Sequence, residues 1–427
     1  MSRHDIYFAA WAFVLPVTSV LLFPSIQGTT PGCLFALAAI SPPVSLLIIP
    51  KEKILPFFYD LALASFGFVA LNALAQLSLG FSTITHFPLS LSLVDSFDTD
   101  NSILMRKTMF TQSLYLLAGA STFFFVKHLY CENWDKYFFF GATVLGLYGV
   151  YECVYSLATG DSGDFLSNRS FDSGQLFGET HTGSWFQTIH LGPLTLQRLK
   201  SLTAEPSMYA FTILPFWIYA LHTKRTAIQG FLLITLVMST TTTAVLGICT
   251  YLLIRLIYYG LVDRFVCVIG GILTFLLAMG LFGNEYILNA YEQIIEDKVT
   301  AENRSGAGRF AAFLTSWEYF LDLPLANQLF GVGYGYIRSN DYFSTLLVNL
   351  GISGLLLTTF IFVYPVVKLG RTSREIGIKA ALIVTFVTMM FAKSDFSSLF
   401  IWLFLGIAYH EIKKRDKRLD SQLRDVN

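Results

Sequence analysis

The stretch that decides the reading of this chain is Arg198-Leu199-Lys200-Ser201-Leu202-Thr203-Ala204-Glu205-Pro206-Ser207. A polar loop leads into it. An apolar run leaves it at once: Met208–Leu221 reads Met-Tyr-Ala-Phe-Thr-Ile-Leu-Pro-Phe-Trp-Ile-Tyr-Ala-Leu. An Arg, a Lys and a Glu therefore stand together where a loop meets an apolar helix. Pro206 suits the first position of that helix, where a missing N–H costs nothing. Glu205 then falls at the helix N-terminus, where a carboxylate is favoured by the peptide dipoles. Two readings stay open on these residues alone: a capped helix with basic residues at the headgroups, or a charged site at a membrane surface.

Composition supports the membrane in both. The 427 residues are 54% hydrophobic and 14% charged, against about 25% charged in soluble chains. A span needs about 20 mostly apolar residues. The sequence predicts an all-α, polytopic membrane protein of about twelve spans. Lys+Arg and Asp+Glu balance at 29 each, so no global field points to nucleic acid. Cys33, Cys131, Cys153, Cys249 and Cys267 are scattered and suggest neither a disulfide framework nor a metal site. The N-terminus has no small-residue cleavage site before its apolar run and reads as a retained first span.

Outward from the opening stretch, the expected spans are Ile6–Phe23, Gly32–Ile49, Ile54–Leu79, Met109–Val126, Tyr137–Ala158 and Met208–Leu221. Two short ones meet near the polar run Ser239–Thr243. Then come Phe265–Phe282, Tyr342–Val366, Ala380–Ala392 and Phe396–Tyr409. Lys and Arg concentrate in the even-numbered loops and at the ends, including Lys413–Arg418. The positive-inside rule therefore predicts both termini in the cytoplasm, with Arg106 and Lys107 against the trend. Two long polar loops, Thr159–Glu205 and Gly283–Asn340, then face outward. An enzyme on that face has no access to ATP or nucleotide sugars and needs a substrate already carried across.

The second loop carries Arg304, Arg309 and Arg338. A guanidinium is the natural clamp for phosphate oxygens because its planar fork donates two parallel bonds. Any single headgroup arginine reads as structural; several on the face where positive charge is sparse read as a site. Tyr286–Val299 has helical apolar spacing with Glu292, Glu296 and Asp297 opposite, which predicts an amphipathic surface helix. Gly331-Val332-Gly333-Tyr334-Gly335 has no preceding strand and no Lys-Ser or Lys-Thr after it. It reads as a tight turn, not a nucleotide loop. Gly351 and Gly354 read as close helix contacts.

Asp60 and Glu152 fall within spans, where a carboxylate is a functional candidate by default. Glu152, roughly 9 Å from the outer end of its span, either lines an outward cavity or pairs with a neighbouring helix. His181 and His190 are possible bases, though a lone loop histidine is usually just solvated. No ligand spacing implies a metal. Asn168-Arg169-Ser170 and Asn303-Arg304-Ser305 match the glycosylation pattern, which short matches do by chance.

Two large outer loops in about twelve spans, the first ending Arg-x-x-Ser-x-x-x-Glu-Pro-Ser, resemble the Wzy-type O-antigen polymerases, relatives of the O-antigen ligases. The second loop adds Arg309, the aromatic Trp317–Phe320, Pro324, Gly331–Gly335, Ser339-Asn340, and Gly351 with Gly354. The motifs cover roughly residues Thr159–Leu357. Ligases usually carry a His-Asn pair where this chain has Ser339-Asn340, which favours polymerase and leaves the general base unassigned by the resemblance. The resemblance implies an inverting, metal-independent, cofactor-free glycosyltransferase of GT-C type in a bacterial inner membrane. The donor and acceptor would be repeat units on undecaprenyl pyrophosphate, and a chain-length regulator protein is a possible partner. The alternatives are an O-antigen ligase or a transporter or flippase of lipid-linked glycans. On this reading Arg198 and Arg309 meet the leaving pyrophosphate and Glu205 is the base. Arg304, Arg338, Lys200, Asn340 and Glu152 bind substrate. A helix N-terminus weakens a carboxylate base, so Glu205 alternatively only orients Arg198.

Overall fold

The computed structural model describes residues 2–24, 26, 28–84, 86–88, 91, 93–94, 103–169, 187–191, 194–260, 263, 265–268, 271, 304–394 and 396–426. The chain is mostly helical. Six described helices are long and apolar enough to cross a membrane, or seven counting one bent pair, consistent with a multi-pass membrane protein. The chain divides into two compact units. Unit 1 comprises Met1–Leu15, Pro31–Phe138 and Arg309–Asn427; unit 2 comprises Pro16–Thr30 and Phe139–Gly308.

Unit 1 contains α1 (Arg3–Val14), α2 (Pro31–Ile40), α3 (Pro42–Ile48), α4 (Lys51–Gly80) and α5 (Lys107–Leu129). It begins α6 (Asp135–Thr159), which runs on into unit 2. It takes up most of α10 (Arg304–Asp322), then α11 (Leu325–Phe330), α12 (Tyr342–Lys368), α13 (Ser373–Ala392) and α14 (Leu399–Val426). Its core at one end is aromatic. Trp134 stacks on Phe8 at 4.0 Å between ring centres, and its indole Nε1 donates to Asp5 Oδ1 at 2.7 Å. Such a ring gives a large apolar area while its one polar atom keeps a partner.

Two expected spans are remade by proline. The first was expected over Ile6–Phe23, but α1 stops at Val14. Pro16 brings no N–H to continue the ladder. Beyond it, the amides of Thr18 and Ser19 go to Leu202 O, at 3.0 and 3.2 Å. Asn168 brackets Leu21, accepting from its N at 2.6 Å and donating to its O at 2.9 Å. The second expected span is α2 and α3, bent by 84° at Ser41, just before Pro42-Pro43. At the other end of the chain, the last span does not stop at Tyr409. It continues as α14 through the basic run to Val426.

Unit 2 is built around α7 (Pro206–His222), with α8 (Thr226–Met238) and α9 (Thr242–Tyr259) packed on it. Every α7 residue except Leu221 is buried, as expected of a helix apolar on all sides. The first long polar loop adds a feature outside the all-α expectation. Strands β1 (Thr188–Leu191) and β2 (Leu194–Gln197) form an antiparallel hairpin, with Thr188 opposite Gln197. Their Thr, Ile and Leu content suits a strand. Most of the expected span Phe265–Phe282 and all of the expected surface helix Tyr286–Val299 lie outside the described residues.

Candidate functional site

The opening stretch enters the site from β2. Glu205 is the N-cap of α7 and Pro206 its first residue, as the sequence predicts. The Glu205 backbone is extended, and its carbonyl accepts from the amides of Met208 and Tyr209. Its side chain makes no capping hydrogen bond. Glu205 is half-buried.

Arg198 is also half-buried and holds two places together. Its Nε donates to Ser239 O at 3.3 Å and Thr240 Oγ1 at 3.0 Å. One terminal nitrogen donates to Thr240 O at 2.7 Å, and the other to Gln187 Oε1 at 2.5 Å. The Ser-Thr-Thr-Thr-Thr run is thus the turn that Arg198 braces. Thr240 sits there at φ +45°, a conformation costly for a β-branched residue. Thr241 caps α9 through the Ala244 amide at 3.1 Å. A guanidinium with its nitrogens bound in this way is fixed in orientation before any ligand arrives.

Lys200 departs from the expectation of a substrate-binding residue. It has no solvent-exposed surface, and its Nζ lies 2.5 Å from Asp164 Oδ2 and 3.6 Å from Glu152 Oε1. The physical reason is charge balance. An ammonium taken out of water needs opposite charge at hand, and the Asp164 carboxylate provides it. Glu152 accordingly faces no solvent; it is fully buried beside the Lys200 ammonium. The helix partner expected for it is replaced by Lys200 from the loop. Burial alone would push the Asp164 carboxyl up. The Lys200 ammonium, together with hydrogen bonds from Ser167, holds it below its ordinary value.

In unit 1, the glycine-rich segment is a buried turn, with Gly331, Gly333 and Gly335 at φ +79°, +131° and +83°. Three amide side chains cement it. Gln76 donates to Val332 O at 2.8 Å, and Asn72 Oδ1 accepts from Tyr334 N at 2.9 Å. Asn349 exchanges two bonds with Ile337, at 2.9 and 2.8 Å. Gly351 is not simply a packing contact. It breaks α12 at φ +66°, and a Cβ there would lie 2.5 Å from the Leu329 backbone. Asp341 caps the first half of α12, accepting from the Ser344 amide at 2.7 Å and from Ser339 Oγ at 3.1 Å. Ser339 is thereby structural, and Arg338 and Asn340 on either side of it are exposed.

Arg309 is half-buried near the start of α10, and burial pushes its guanidinium below the ordinary value. Arg304 opens the same helix, with its side chain outside the described set. His181 also lies outside it, while His190 stands in β1 with its side chain undescribed. Asn168 of the first glycosylation match is already bonded to Leu21; Asn303 of the second is not described.

Sequence reasoning missed Asp164, Gln187, Asn72, Gln76 and Asn349. The signal was there for the last three: amides inside otherwise apolar spans need partners, and a glycine turn offers backbone groups. Among the described residues no group of three His, Cys, Asp or Glu is placed to hold a metal. No family model matches this chain, and neither the curated proteins nor the solved structures compared with it give a match.

Proposed function

We propose that this chain is a surface-polysaccharide polymerase of the Wzy type, with about twelve spans in a GT-C-like arrangement in a bacterial inner membrane and both termini in the cytoplasm. It would join repeat units carried on undecaprenyl pyrophosphate. An acceptor sugar hydroxyl attacks the anomeric carbon of the donor glycan, the glycosidic C–O bond forms, and the bond to the lipid pyrophosphate breaks. The hydroxyl proton goes to Glu205 and the electron pair leaves with the pyrophosphate.

One observation carries this reading: Arg198 and Glu205 lie on one short segment that is pinned at both ends. Arg198 is held by Ser239, Thr240 and Gln187. Glu205 is held as the N-cap of the buried helix α7. A cation fixed in advance, on the same segment as a carboxylate, suits transfer from a pyrophosphate, since the protein's task is to offset growing negative charge and orient the acceptor. Arg309 is the second residue proposed for the pyrophosphate. Arg304, Arg338 and Asn340 are proposed for the glycan and its diphosphate, and Lys200 and Glu152 support the Arg198 segment from within.

Deletion of the protein separates the classes. A polymerase leaves surface glycan as single repeats, a ligase leaves it on the lipid carrier, and a flippase stops it reaching the outer face. Arg198→Ala and Arg309→Ala are each expected to abolish the chain-length ladder on a polysaccharide gel in cells that retain the protein. A normal ladder in either variant removes that arginine from the mechanism, and in both removes the clamp.

A further inference from the structure

One end of unit 1 gathers lysines from three helices. Lys53 lies in the first turn of α4, Lys127 in the last turn of α5, and Lys413 and Lys417 one helical turn apart on α14. His410 Nδ1 approaches Lys127 O at 3.0 Å, which docks α14 on the end of α5 and brings Lys413 beside Lys127. Burial of its amine, then the neighbouring Lys127 and Lys417 ammoniums, push Lys413 down; Asp60 opposes this, and Lys53 adds to it. Asp60 Oδ2 takes Lys127 Nζ at 2.7 Å and His128 Nε2 at 2.9 Å. That carboxylate orients Lys127 but does not balance the group, even with Glu52 and Asp416 nearby in sequence.

The position of Lys53 on α4 gives the depth of the group. Leu55, Tyr59, Leu63 and Phe66 form one exposed stripe, at 78, 65, 59 and 73% exposure. An exposed apolar stripe on a helix long enough to span is a face for acyl chains. Lys53 is two residues, about 3 Å of helix rise, before that stripe begins, but it shares the face of Phe57 and Asp60 turned to α5, not the face of the stripe. The lysine group therefore shares its headgroup depth with the end of the lipid-facing helix.

We propose that this end of unit 1 binds an anionic phospholipid, with Lys53, Lys127, Lys413 and Lys417 around the headgroup phosphate at the depth where the apolar part of α4 begins. A basic cluster directly beyond an apolar helix has the charge and depth for such a partner. Free phosphate would use the lysines without a bilayer around them. The site is independent of the glycosyl-transfer reading.

The test is native mass spectrometry of the full chain released from vesicles of equal phosphatidylglycerol and phosphatidylcholine. The wild type is expected to retain phosphatidylglycerol preferentially. Each lysine near an anionic surface is worth about fivefold, so K413Q/K417Q should lower that preference by roughly 25-fold. K413R/K417R should keep it, and K136Q/K224Q, the same charge loss elsewhere, should leave it within about twofold. If K413Q/K417Q does not fold, K53Q/K127Q is read in its place. Equal retention of the two lipids, an unchanged preference in the glutamine variant, or an equal loss in K136Q/K224Q overturns the proposal. Displacement of the lipid by inorganic phosphate also overturns it.

Discussion

Lys200 Nζ lies 2.5 Å from Asp164 Oδ2, and both side chains are sealed from solvent, with Glu152 at 3.6 Å on the same ammonium. Lys200 belongs to the segment before α7, Asp164 to the chain after α6, and Glu152 to α6 itself. One buried cation therefore ties together three parts of unit 2. Removing one partner of a buried pair leaves an uncompensated charge and costs about 3–5 kcal/mol. Lys200→Met is expected to lower the thermal midpoint sharply or prevent accumulation of folded protein. Adding Asp164→Leu to Lys200→Met should recover part of that loss. A Lys200→Met variant with an unchanged midpoint would show that the pair contributes nothing.

Asp164 also sets a pH dependence with a definite sign. Its carboxyl is held below the ordinary value of 3.8, because the Lys200 ammonium and the Ser167 hydrogen bonds together outweigh burial. A depressed carboxylate stabilises the fold fully above its unfolded pKa, and that contribution is lost as pH falls through the folded one. The gap in thermal midpoint between wild type and Asp164→Asn should therefore shrink as pH falls below 3.8. A gap that widens on acidification contradicts this.

Glu205 separates chemistry from folding. Glu205→Gln keeps the shape of the side chain and the backbone cap of α7, so it is expected to keep the thermal midpoint within a few degrees. In the proposed role of general base, its loss should cost about 10²–10⁴-fold in the proposed polymerisation. Equal ladders in Glu205→Gln and wild type assign the proton to another group. A collapsed midpoint makes Glu205 a structural residue.

The crossing of the glycine turn with α12 depends on missing side chains. A Cβ on Gly331 would lie 2.3 Å from the Asn349 backbone, at φ +79°. Gly160 has a similar φ of +81° but nothing within 4 Å. Gly160→Ala should carry the left-handed penalty alone, about 1–2 kcal/mol. Gly331→Ala adds a backbone clash and is expected to lose folded protein outright. Thermal unfolding of the two variants side by side checks this; similar midpoints would mean that the crossing can relax.

Local signals carried much of the fold. Pro206 and Glu205 were placed correctly as the start of α7, because a cap and a proline act through their own backbone. The glycine turn was legible because φ above zero is a local demand. The span expected over Ile6–Phe23 failed for a reason that no window of hydropathy contains. Thr18 and Ser19 find their acceptor at Leu202, far along the chain.

The candidate site divides in the same way. The sequence by itself determined that the chain is helical and apolar, and that Arg198, Lys200 and Glu205 arrive together at the mouth of a buried helix, since adjacency and periodicity are properties of the covalent chain. Only the tertiary structure decided which of those charges faces inward. Lys200 is buried because Asp164 and Glu152 meet it there, and Arg198 is turned because Thr240 and Gln187 accept from it. A charge leaves water only where its partner waits, and which residue that partner is depends on contacts between segments distant in sequence.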